Sequence, residues 1–383
     1  MTPFDTPVVL FIFNRPDTTA QVVEALRAVR PERLFVVADG PRPLSAHDQL
    51  NCAAAFAVLD RIDWKCEIIR NIAEVNLGCG KRVSSGIAWV YNQVDEAIFL
   101  EDDCLPDPTF FWYCRELLAR YRYDDRVMMI SGTNSLESWC PERQSYHFSL
   151  YGSHWGWASW KRAWKYYDFE MKGWSQVEKA SRLLEVIGDE ELVSYHLHLC
   201  DLITQGKLDT WDVQWTSAQL LRRGLAIVPA VNLVSNIGFS QDATHTRLST
   251  ALSASRKRFA IPFPLKASVS VSADLEYDRK YMDWRMGRPD TDMVISQVQE
   301  HLSACHNTRA LLLLEALLRS EIRLSPIVRA QLYTWKARAL TALGNRPYAF
   351  SALHQALTIV PDRQDALDLM DQLQTSISET ARP

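Results

Sequence analysis

At 383 residues the chain exceeds the size at which a single hydrophobic core usually stops growing, so one large domain and a smaller module are expected. Its 42 Lys and Arg against 46 Asp and Glu leave a net charge of -4 with no long block of like charges, which argues against nucleic acid as a partner. Eight cysteines are scattered without a paired C-x-x-C framework, the pattern of reduced cytoplasmic thiols rather than of a zinc site.

The opening Met1-Thr2-Pro3-Phe4-Asp5 lacks a basic stretch, and the apolar run over 8–13 is too short for a membrane span or a signal-peptide core. No transmembrane segment is expected, and the location reads as cytoplasmic, with peripheral contact at the inner face of the membrane left open. The same run reads as a first β-strand, broken by Asn14-Arg15-Pro16-Asp17. Asp17 or Thr18 can then cap a helix carrying Val22, Val23, Leu26 and Val29 on one face.

A second strand over 34–38 runs into Asp39-Gly40-Pro41, a helix follows over 53–62, and a third strand over 66–70. Asn76-Leu77-Gly78-Cys79-Gly80 leads into a helix over 81–94, and a fourth strand over 97–100 delivers Glu101-Asp102-Asp103 at its end. This alternation is the sequence form of βαβ units and a mostly parallel sheet. Ligands of such sheets bind at the carboxyl ends of the strands, so Asn14-Arg15, Asp39-Gly40 and the acidic triplet are expected at one edge.

Residues 140–250 are less regular, dense in Trp, and contain a strand near 226–228; they read as a second half of the same domain. Trp155, Trp157, Trp160 and Trp164 fall at spacings that would put several on one helical face, a packing pattern, although one could stack on a sugar. His154, His196 and His198 read as structural or surface positions. Residues 1–260 are expected to form the large α/β domain, 261–295 a linker or wrapping segment, and 296–383 a helical module. In that module Ala337, Gly344, Ala349, Leu353, Ala356 and Pro361 follow the spacing of a tetratricopeptide repeat of ~34 residues. A protein partner for this tail and a plain helical hairpin are both open readings.

Carboxylates leaving a buried strand together repel one another and call for a cation. Hard oxygen donors suit Mg²⁺ or Mn²⁺, which bind one or two carboxylates plus substrate phosphates. A solvated turn is the competing reading of the triplet. Gly78-Cys79-Gly80-Lys81 lacks the P-loop spacing, and no G-x-S-x-G elbow is present, so kinase-like and serine-hydrolase readings find no support.

Taken in order, these residues resemble nucleotide-sugar glycosyltransferases of the GT-A fold, particularly the N-acetylglucosaminyltransferase I and family 2-like groups, over roughly 8–247. The resemblance implies that Arg15 lies near the donor diphosphate and Asp39 contacts the base. It places Glu101 and Asp102 at the donor, with Asp103 as metal ligand. Gly156-Trp157 resembles the Gly-Trp at the mouth of the acceptor site, and Trp211-Asp212-Val213-Gln214-Trp215 the W-D-x-x-W stretch whose Asp is the base. Asp242-Ala243-Thr244-His245 resembles a Gly-x-Ser-His segment, with Asp242 in place of the Gly; His245 would approach the metal.

The resemblance therefore implies an α/β GT-A domain followed by a helical module. The expected activity is inverting, metal-dependent transfer of a sugar from a nucleotide-diphosphate donor, by resemblance UDP, to a hydroxyl of a glycan or lipid-linked glycan. Such a role would belong to polysaccharide biosynthesis. A sugar nucleotidyltransferase and a non-catalytic scaffold with a degenerate transferase domain are the alternatives.

Overall fold

The strand β1 (Val8–Ile12) consists of five consecutive apolar residues, a run that is hidden only when both faces of a sheet are covered. All five are buried. Side-chain alternation sends Val8, Leu10 and Ile12 into one core and Val9 and Phe11 into another. A computed structural model describes this fold over residues 4–171, 176–238, 256–267, 270–286, 291–319 and 324–380.

Around β1 stand β2 (Arg33–Ala38), β3 (Glu67–Ile72) and β4 (Glu96–Glu101), all parallel, in the order β3-β2-β1-β4. The eight-stranded sheet continues through β8 (Trp157–Trp160), β6 (Val127–Ser131) and β9 (Leu225–Pro229) to β7 (Tyr146–Ser149). Strands β6 and β9 are parallel, whereas β8 and β7 run antiparallel to their neighbours. A separate two-stranded pair joins β5 (Cys104–Pro106) to β10 (Val234–Asn236). The result is an α/β fold with a mostly parallel, Rossmann-like sheet.

One face is covered by α1 (Pro16–Arg27) and α4 (Thr109–Tyr121), whose Val22, Val23, Leu26, Phe110, Leu117 and Leu118 join the first core. Pro16 opens α1, where its missing N–H costs nothing. The other face takes α3 (Cys79–Tyr91), through Val83, Ile87 and Val90. The helix α2 (Ala46–Ala57) begins at Ser45, which accepts a hydrogen bond from Asp48 N. It starts seven residues before the expected 53, because the apolar periodicity is weak in its first turns while the serine cap is local.

The tryptophans depart from the expected helical stripe. Trp157 and Trp160 lie in β8, and their odd spacing puts them on opposite faces of the sheet, Trp157 in the second core and Trp160 in the first. Trp164 closes the short helix α5 (Lys161–Trp164), and Trp211 and Trp215 flank the start of α8 (Asp212–Leu221). Trp157 stacks at 4.6 Å on Phe99 and at 5.5 Å on Trp211. Two further helices, α6 (Gln176–Ile187) and α7 (Glu190–Thr204), precede α8.

The described residues fall into two compact units, one within Met1–Phe239 and Lys257–Met282, the other within Ser240–Arg256 and Asp283–Pro383. In the first, Ile261 N donates to Thr109 Oγ1 and Lys266 N to Ser145 Oγ, tying 257–267 to the sheet domain, and α9 (Leu275–Arg285) begins beside β7. The second contains α10 (Thr291–Ser303), α11 (Asn307–Arg319), α12 (Pro326–Ala342), α13 (Arg346–Ile359) and α14 (Gln364–Thr380). Ala337, Ala349, Ala352 and Ala356 let α12 and α13 approach closely around Leu340 and Leu353, and Gly344, at φ +76°, turns the chain between them. No described helix is long and apolar enough to cross a membrane.

His147 on β7 is buried against Tyr277, ring centroids 4.2 Å apart, and neither ring nitrogen has a hydrogen-bond partner among the described residues. Burial pushes its pKa from 6.5 down to about 4, opposed by Asp274. The unfolded chain therefore takes up this proton below pH 6.5 and the folded chain only near pH 4, so stability falls as pH drops through that window. Urea melts at stepped pH should show a loss on the order of 3 kcal/mol across it, and His147→Phe should flatten that limb.

Candidate functional site

The parallel register aligns Phe11 with Glu101 and Ile12 with Ala38, so the ends of β1, β2 and β4 open at one edge. There Phe13 N donates to Asp102 Oδ2 at 3.0 Å, joining the first and fourth strand ends. Arg15, the residue before α1, donates from Nη1 to Asp103 Oδ2 at 2.5 Å and lies 3.7 Å from Asp102 Oδ1. Its side chain remains half exposed, whereas Asp102 and Asp103 are buried.

One guanidinium does not balance these carboxylates. Burial, then the charges of Asp103, Asp102 and Asp212, push Glu101 up to about 8. Asp102 rises to about 6, mainly through burial and partly offset by the Phe13 amide. A cation would relieve both. Among the described residues no group of three or more His, Cys, Asp or Glu side chains is arranged to hold a metal. Carboxylate oxygens are the donor type that hard divalent ions take, one or two at a time with the remainder from a ligand or water.

Asp39 is engaged by the neighbouring loop. Its Oδ1 accepts from Gly40 N and Leu77 N, both at 2.9 Å, and its Oδ2 from Asn76 Nδ2 at 3.1 Å and Gly78 N at 3.2 Å. These four donors make Asp39 the bracket that holds 76–78 against the end of β2. Gly40 is needed beside it, since a Cβ there would stand 2.6 Å from the backbone of Val75. Asp48 is similarly enclosed: it accepts from Asn14 Nδ2 at 2.7 Å and is paired with Arg42, whose guanidinium holds it well below the usual carboxylate range.

Asp212 is the first residue of α8. Its Oδ1 accepts from Val213 N at 2.9 Å and from Thr210 Oγ1, while Oδ2 accepts no hydrogen bond among the described residues. It lies close enough to Glu101 to raise that residue's pKa. The strand β10 brings Ile237 N onto Asp103 O at 2.8 Å, and Gly238 is packed so that a Cβ would collide with Asp103 and stand 3.0 Å from Arg15 Nη1. His245 lies outside the described residues.

Trp157, expected at the acceptor mouth, is 2% exposed and belongs to the core. The structure thus gathers Arg15, Glu101, Asp102, Asp103 and Asp212, gives Asp39 a scaffolding contact and withdraws Trp157. Asp48 and Gly238 reach this edge from distant segments and leave no signal in the sequence, while Asp209 and Thr210 stand just before Asp212 and are marked only by their contacts with Gly80 and Asp212. Two grooves elsewhere, about 610 Å³ between α6 and α7 and about 460 Å³ along α4, share no residue with the carboxylate cluster. No protein-family model matches the chain, and no curated protein is detectably similar to it in sequence.

Asp39→Ala should release the amides of Leu77 and Gly78, seen as faster hydrogen exchange at those two positions. A stability loss of about 1–3 kcal/mol is expected, the cost of stranding partly buried donors.

Proposed function

We propose that the chain transfers a sugar from a nucleotide-diphosphate donor to a hydroxyl of a glycan or lipid-linked glycan, with inversion at the anomeric carbon. The observation that carries this reading is the division of carboxylates at one sheet edge. Glu101, Asp102 and Asp103 form an under-neutralised group beside Arg15. Asp212, near enough to act on Glu101, has one oxygen fixed and the other without a hydrogen bond among the described residues.

In this reading Asp212 Oδ2 takes the proton of the acceptor hydroxyl as its oxygen attacks the anomeric carbon. The bond to the diphosphate breaks, and its electron pair leaves on the phosphate oxygen. Arg15 supplies positive charge on the leaving side. A Mg²⁺ or Mn²⁺ ion bound at Asp103 would supply the rest of the charge neutralisation. An ion there would also relieve the burial of Glu101 and Asp102 in their charged forms, Asp39 holds the loop beside the donor, and UDP follows from the resemblance alone. Service in polysaccharide assembly at the cytoplasmic side, and a protein partner for the helical unit, extend the proposal.

The Arg15–Asp103 pair favours a second reading in which Arg15 carries the diphosphate without a metal. Thermal-shift measurements with UDP, GDP, dTDP and CMP, each with and without Mn²⁺, separate the two. At about 100 times Kd, binding should add about 2.7 kcal/mol, a Tm rise of several degrees. A metal-dependent shift abolished by Asp103→Ala supports the first reading, and a metal-independent shift abolished by Arg15→Ala supports the second. Asp212→Asn should keep the nucleotide shift while losing transfer by about 100-fold or more. The absence of any shift would favour a non-catalytic scaffold.

A further inference from the structure

We infer that Thr210 is a positioning residue for Asp212, anchored by Asp209 against the glycine-rich start of α3; the inference rests on Asp212 being the base. A carboxylate in the first turn of a helix ordinarily satisfies itself on the free amides there. Asp212 Oδ1 takes one such amide, Val213 N, and also the Thr210 hydroxyl. A hydroxyl has one proton to donate, so this contact fixes the direction in which the carboxylate faces and leaves Oδ2 as the oxygen without a partner among the described residues.

Thr210 is itself held from two sides. Its carbonyl accepts from Gln214 Nε2 at 3.0 Å, and Gln214 is 3% exposed. On the other side Gly80 N donates to Asp209 Oδ1 at 3.0 Å. The approach is close enough that a Cβ at Gly80 would stand 2.6 Å from both Asp209 Oδ1 and the Thr210 carbonyl oxygen, and one at Gly78 would collide with Asp209 Oδ2. Two glycines are therefore required where α3 begins for 209–210 to seat there. A base held by a second group that is in turn held by the fold is the arrangement catalysis needs, since a carboxylate free to rotate loses the geometry of proton transfer.

The test uses the full chain with Mn²⁺ and a panel of UDP-, GDP-, dTDP- and CMP-sugars, following nucleotide release with water as acceptor. The water oxygen attacks the anomeric carbon, its proton passes to Asp212, and the nucleotide leaves. Thr210→Val keeps the shape and removes the hydroxyl; kcat should fall about 10- to 100-fold, with the donor KM within about twofold. Thr210→Ser should recover most of the rate, and Thr210→Val placed on Asp212→Asn should cost nothing further, a non-additivity that a general loss of stability would not produce. If Thr210→Val does not fold, Thr210→Ala replaces it, with Thr210→Ser as the folded control. Wild-type turnover by Thr210→Val, or equal losses with and without Asp212, would overturn the inference while leaving Asp212 as the base. A chain that turns over no nucleotide-sugar, or an Asp212→Asn variant as active as wild type, would overturn the underlying reading and the inference with it.

Discussion

The structure depends on the double-sided burial of β1. Five apolar residues in a row cannot be hidden by one layer, so both faces must be covered, and β1's neighbours are parallel strands joined through helices that supply that cover. With both faces sealed, the strand ends are where the sheet's backbone meets polar groups. Arg15, Asp39 and Glu101–Asp103 sit where they do because β1, β2 and β4 are in register, not because of attraction among themselves.

That placement carries an electrostatic cost. Glu101 and Asp102 are held where their charged forms are disfavoured, and Arg15 offsets only part of the repulsion. Asp48 is the contrast within the same edge: equally enclosed, it is paired with Arg42 and hydrogen-bonded by Asn14, and its charge is comfortable. The difference between a satisfied buried carboxylate and an unsatisfied one separates scaffolding from candidate chemistry here. Asp39, with four donors, falls on the scaffolding side.

Aromatic packing supplies the stiffness behind the site. Trp157, Phe99, Trp211, Trp215 and Trp164 form one contiguous group in the second core, joining β4, β8 and the start of α8. Glu101 ends one of these elements and Asp212 begins another, so the rings pack together the elements that carry the two carboxylates. The C-terminal helical unit achieves its own packing differently, with alanines that allow backbone approach around a few leucines.

The sequence by itself determined the parallel half of the sheet, the acidic end of β4 and the helical tail. Those follow from local rules: apolar runs, breakers and small-residue spacing act within a few residues of one another. The packing that the Trp155–Trp164 spacing suggests is present, but on a strand rather than along one helical face, because Trp spacing alone does not reveal that β8 inserts antiparallel between β4 and β6. Only the tertiary structure decided that Trp157 is core and that Asp39 holds 76–78. It also decided that Asp48 closes on Asn14, and that Asp209 and Thr210 meet the helix beginning at Cys79. Each of these contacts joins segments tens of residues or more apart, and the complementarity of two distant surfaces leaves no periodic trace in either one.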